Sequence, residues 1–106
     1  MAQFDVYPNP NPAYRKEYPW IVDVQHATLA AFRTRLTIPL SRASQQTQTS
    51  LPHRLFATIE FAGERLTLLP HLAASVHTGY LKNSAGSLAH YRSDIQAGLD
   101  ALVAGV

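Results

Sequence analysis

The sequence predicts a mainly β fold closed by one C-terminal α-helix, and three observations carry that prediction. Short runs of period-two alternation recur between Gln3 and Leu81, the mark of half-buried strands. Turn-forming residues separate the runs. After "KNSAGS" the apolar spacing changes to three and four residues, which places one face of a helix against a core.

The elements follow in order. "QFDVY" sets Phe4 and Val6 against Gln3, Asp5 and Tyr7, a first strand. "PNPNP" ends it, because Pro8, Pro10 and Pro12 fix φ and donate no ladder hydrogen bond. This stretch reads as a surface turn or a polyproline recognition segment, and asparagine–proline steps favour the turn. "YPWIVDVQ" is a second strand with Trp20, Val22 and Val24 on one face and Ile21, Asp23 and Gln25 on the other. "RLTIPL" is a third, aligning Leu36, Ile38 and Leu40, where Pro39 implies an edge or a bulge. "SRASQQTQTS" (residues 41–50) is a polar loop.

"LFATIEF" is the clearest strand, with Leu55, Ala57, Ile59 and Phe61 on one side. "AGE" then turns the chain and "RLTLL" returns as a hairpin. "SVHTGYL" is a further strand, broken at Gly79. Leu88, Tyr91, Ile95, Leu99 and Leu102 line one face of the helix, and Ser87 is placed to cap it. Gly98 weakens the helix interior by roughly 1 kcal/mol relative to alanine, so packing has to hold it.

A length of 106 residues gives one domain, 1–106, burying about two-thirds of its unfolded surface. Only 15% of the residues are charged, which leaves apolar area outside and favours self-association. The net charge of +2 is carried by nine scattered Lys and Arg residues. A nucleic-acid binder shows a basic stripe interleaved with aromatics, and none is visible, so direct nucleic-acid binding is not expected. There is no cysteine, hence no disulfide or thiol ligand. The first residues show no charged-then-apolar leader, and no apolar run nears the roughly 20 residues of a membrane span. A cytoplasmic protein without membrane contact is the expectation.

Little chemistry is concentrated anywhere. His26, His53, His71, His77 and His90 form no HExxH or His-x-His spacing, so neither a metal nor another cofactor is expected. A GxSxG elbow is missing, and "FAGER" lacks the lysine and repeated glycines of a phosphate cradle. A metal-free ribonuclease could recruit His53 with Arg54, or Glu60 or Glu64 with Arg65. Such residues occur by chance in almost any small domain, and no enzymatic activity is the expectation.

"QFDVY", "VDVQ", "RLTIPL", "AASV" and "AHYRSDI", in this order and ending about ten residues before Val106, resemble the CcdB toxins of toxin–antitoxin modules. The likeness runs from Gln3 to Val106, with a somewhat longer proline-rich stretch after Tyr7. It implies an SH3-like antiparallel barrel with a C-terminal α-helix, assembled as a two-fold homodimer. The partners it implies are the A subunit of DNA gyrase, which such toxins trap on cleaved DNA, and a CcdA-like antitoxin whose disordered acidic segment folds on binding. The mildly basic charge suits that segment. The alternatives are a metal-independent endoribonuclease toxin on the same barrel, or a degenerate, non-toxic binding module.

The resemblance places target binding in the final residues, "ALVAGV", which carry no side-chain charge. Members of the family present a Trp-Gly-Ile tripeptide there. Gly105 matches, Val106 stands for isoleucine, and Ala104 occupies the tryptophan position. The expected contacts are Gly105 and Val106, then Val103, Ala104 and Asp100, the last in place of an asparagine. Thr28 and Leu29 belong to the neighbouring patch. Trp20 lies in the second strand and does not supply the missing side chain. An αL terminator at Gly105, with Leu102 and Val103 finishing a packed face, is the competing reading of the same residues.

Overall fold

The computed structural model describes residues 2–43, 52 and 54–105. Seven antiparallel strands and one helix make up its regular structure: β1 Asp5–Pro8, β2 Trp20–Asp23, β3 Thr34–Ser41, β4 Ala57–Phe61, β5 Glu64–Leu68, β6 Ala74–His77, β7 Gly86–Ser87 and α1 Arg92–Ala104. The strands form one sheet in the order β4-β5-β3-β2-β1-β7, with β6 also paired to β3. The sheet curls into an antiparallel half-barrel, and the helix follows it, so the mainly β class expected from the sequence holds. Of the loop expected over residues 41–50, Ser41 instead ends β3, and residues 44–50 lie outside the described residues.

Register explains the core. Val6 sits opposite Val22, and Val22 opposite Ile38, so three strands stack β-branched side chains on the concave face. Leu40, Ile59, Leu66 and Leu68 extend that layer, and Leu88 and Ile95 close it from the helical end; each is at most 1% exposed. Full burial of such a side chain is worth about 1.5–3 kcal/mol. A smaller cluster of Tyr7, Ile21 and Leu81, with Val76 against it, fills the convex side. Both faces of β1 and β2 are therefore buried, where alternation predicted one.

β3 is the axis of the sheet. Its first half pairs with β6 (Thr34 opposite His77) and its end pairs with β5 (Leu40 opposite Leu68). Pro39 stands where the strand changes partners, and its carbonyl accepts from Leu69 N–H at 3.2 Å. In a strand the nitrogen of a residue faces the same side as its carbonyl, so the missing donor falls at this step and costs no ladder bond. The proline marks a seam in a central strand and not a sheet edge.

The β4–β5 hairpin turns on Ala62 and Gly63 at φ 52° and 75°, the two left-handed residues of a type I′ loop. The strand expected over residues 75–81 ends at His77, and Gly79 lies in a 3-10 turn, Thr78–Tyr80. The proline-rich stretch likewise forms a 3-10 turn, Pro12–Tyr14, in the connection from β1 to β2.

The helix departs from its sequence pattern in an instructive way. Ser87 Oγ does accept from Ala89 N–H at 3.2 Å, but it is not the cap of α1: a 3-10 turn, Ala89–Tyr91, with Leu88 at its N-cap, intervenes, and Tyr91 stands at the N-cap of the helix. The residues α1 buries fully are Ile95, Gly98 and Ala101, and Leu102 is 43% exposed. A Cβ on Gly98 would stand 3.0 Å from Pro70 Cγ and 3.1 Å from the Leu55 carbonyl oxygen. Small residues let the helix lie directly on the 3-10 turn Pro70–Leu72, which rotates the larger leucine outward.

Candidate functional site

Two exposed apolar elements hold the residues singled out by the sequence. The first is the tip of α1. Val103 is 87% exposed, Ala104 and Asp100 are also on the surface, and Asp100 Oδ1 accepts from Gln96 Nε2 at 3.2 Å, one helical turn back. Gly105 adopts φ 77°, in the left-handed region, and its N–H donates to the Ala101 carbonyl at 2.8 Å. That bond ends the helix in the way glycine favours. A Cβ added to Gly105 would find nothing within 4 Å. Gly105 is thus both the terminator and an open surface residue, while Val103 belongs to no packed face. Val106 lies outside the described residues.

The second element is the connection from β2 to β3, residues 26–33, which carries Thr28 and Leu29. It opens with a 3-10 turn, Ala27–Leu29, whose Thr28 N–H donates to His26 Nδ1 at 3.1 Å. Nδ1 is also 2.9 Å from the Thr28 hydroxyl. Leu29 is 43% exposed, and Phe32, three residues on, is 59% exposed. No sequence pattern singles out Phe32, since a lone aromatic between two strands has no periodic partner.

The support beneath this connection was not foreseen either. Asp23, placed on an outward face by alternation, is fully buried. Its Oδ2 accepts from Arg35 Nε at 2.8 Å, and Arg35 is 2% exposed. Asp23 Oδ1 takes Gln25 N–H at 3.0 Å, and Arg35 Nη2 donates to the Gln25 carbonyl at 3.0 Å. Tyr7 lies close enough that burial, with Asp5 and Asp23 nearby, pushes its hydroxyl above the ordinary tyrosine range, against an opposing pull from Arg35.

Of the nuclease candidates, one acid–arginine pair is brought together, on the exposed β4–β5 hairpin. Glu60 pairs with Arg65 at 3.1 Å on the exposed hairpin, Glu64 pairs with Arg42 at 2.9 Å, and His53 is outside the described residues. Among the described residues no group of three or more His, Cys, Asp or Glu could hold a metal ion. Among them, too, no helix is long and apolar enough to cross a membrane.

A half-barrel that presents two exposed apolar elements has the form of a small macromolecule-binding module. The model of one protein family, described as CcdB protein, matches residues 3–105. The chain belongs to the CcdB family, the toxin component of toxin–antitoxin modules. A search of curated proteins finds no significant match.

Proposed function

We propose that this protein binds the A subunit of DNA gyrase and poisons the enzyme without catalysing a reaction of its own. It would do so as a two-fold homodimer in the cytoplasm, held in check by a CcdA-like antitoxin. The observation that supports this most is the tip of α1: Val103 stands 87% exposed beside a left-handed Gly105, at the position the family uses for its target. Val103 and Val106 would supply apolar burial, Gly105 the change of direction, and Asp100 a polar rim contact. Ala104, where the family has tryptophan, leaves this contact short of one aromatic anchor. Thr28 and Leu29 would form the neighbouring part of the same surface.

The test is induction of the protein in its own host with gyrase-linked DNA breaks, RNA decay and viability scored together. Breaks that disappear when residues 104–106 are deleted are the expected result. RNA decay without breaks would establish the nuclease reading instead. Unimpaired growth would make the protein a non-toxic binding module.

A further inference from the structure

Every polar group of Gln25 is hydrogen-bonded, and the bonds run in two directions. Toward the core, its N–H meets Asp23 Oδ1 and its carbonyl meets Arg35 Nη2. Toward the surface, its side-chain Nε2 donates to the Leu29 and Thr34 carbonyls, each at 3.2 Å, and Oε1 accepts from Leu36 N–H at 3.0 Å. Residues 29 and 34 bracket the second half of the β2–β3 connection, so one amide ties the middle of it to its end. The connection's own backbone bonds, Leu29 N–H to His26, Ala30 N–H to Ala27 and Phe32 N–H to Leu29, fold it into successive turns on that frame. Leu29 and Phe32 are exposed on those turns.

We infer that Gln25 is a positioning residue for target recognition, fastening residues 26–33 to the buried Asp23–Arg35 pair so that Leu29 and Phe32 meet the target as a preformed apolar pair. The inference rests on the proposed function and takes the same occupant, the gyrase A subunit, because Leu29 and Thr28 belong to that contact. Phe32 then supplies an aromatic anchor to a surface whose helical tip has none. Aromatic side chains dominate interface hot spots. An anchor held in its bound geometry before association loses less freedom on binding.

The chemistry of the clamp is specific. Two carbonyls face Nε2, so the residue at 25 must offer two donors as well as an acceptor. Methionine keeps the length and apolar volume of glutamine but none of these bonds. Phe32→Ala removes the anchor and leaves the clamp whole.

The experiment measures binding of the purified A subunit of the host's gyrase to the wild type, Phe32→Ala, Gln25→Met and the double variant, with thermal midpoints and amide hydrogen exchange on the same samples. Phe32→Ala should weaken binding about tenfold or more while the midpoint stays within a few degrees. Gln25→Met should weaken binding comparably, and speed exchange at Leu29, Ala30 and Phe32 but not at Val22 or Ile38. On the Phe32→Ala background it should weaken binding clearly less than it does in the wild type, because only Leu29 is then left to misplace. Wild type that binds while both single variants bind equally well would overturn the inference alone. Additive losses in the double variant would also overturn it, by making Gln25 merely structural. Wild type that fails to bind would overturn the proposed function and the inference with it.

Discussion

The β2–β3 connection and the tip of α1 are both apolar and exposed, yet they are held in opposite ways. The connection hangs from a buried ion pair through side chains: Arg35 on Asp23, both on Gln25, and Gln25 on Leu29 and Thr34. Beyond its helical ladder, the tip has one terminating backbone bond, from Gly105 to Ala101, and Val103 packs on nothing that covers it. The first arrangement concentrates stability and precision at one root. The second puts little at stake, so side chains there can change without cost to the fold. A recognition surface assembled from both has one part fixed by the core and one part free to vary, and Ala104 lies in the free part.

The sharpest way to break the comparison is to cut the root. In Asp23→Ala, Arg35 keeps its charge in a site where it is 2% exposed, without the carboxylate that compensates it. Removing one partner of such a pair typically costs about 3–5 kcal/mol, and the Gln25 N–H loses its acceptor as well. Val103→Ala, at 87% exposure, should cost under about 0.5 kcal/mol. Urea unfolding of the two variants measures both numbers. Equal effects would show that the connection and the tip do not differ in support.

The asymmetry also governs what could be read from the sequence. The β4–β5 hairpin was legible because Thr58 and Glu60 face water while Ile59 is buried, so alternation and environment agree. In β2 they disagree. Ile21, Val22 and Asp23 are all buried, since β2 is covered on both faces, and a period-two reading turns Asp23 outward. What brings Asp23 inside is Arg35, twelve residues away across a strand pair whose register no local pattern encodes. Gln25 was invisible for the same reason, as its bonds to Thr34, Arg35 and Leu36 are fixed by that register. The tip was legible in composition but not in detail. The 3-10 turn before α1 and the close approach of Gly98 to Pro70 rotate Leu102 out of the face its spacing suggests.

The free part can be sharpened by restoring what it lacks. Ala104 is exposed at the last turn of α1, so Ala104→Trp should be accommodated without repacking the core, with a thermal midpoint within a few degrees of the wild type. Truncating an interface tryptophan commonly costs roughly 2–4 kcal/mol. The reverse change should then tighten binding to the gyrase A subunit by roughly thirtyfold or more. Direct titration of both proteins against the same subunit gives the ratio. An unchanged affinity would place the tip outside the contact and leave the β2–β3 connection as the recognising element.

The smallest effect distinguishes the two regions by pH. Tyr7 packs with Ile21 and Leu81 beside the root of the β2–β3 connection, and its raised value comes first from burial and then from the charges of Asp5 and Asp23. A group that holds its proton more tightly when folded contributes its full stability below the unfolded value, about 10 for tyrosine. That contribution is lost as pH rises toward the folded value, because the unfolded chain ionises first. Stability of the wild type should therefore decline between about pH 9 and 11 by more than that of Tyr7→Phe. The variant keeps the ring and its packing but has no hydroxyl to ionise. The two proteins differ in that hydroxyl alone, so the difference between their urea midpoints across this range isolates Tyr7. Residues 101–105 at the tip carry no titratable side chain, so the alkaline loss should speed amide exchange around Val6 and Val22 in the wild type more than in Tyr7→Phe, with a smaller difference at the exposed tip. Parallel pH curves for the two proteins would mean that neither burial nor the charges of Asp5 and Asp23 make the folded Tyr7 hydroxyl hold its proton more tightly.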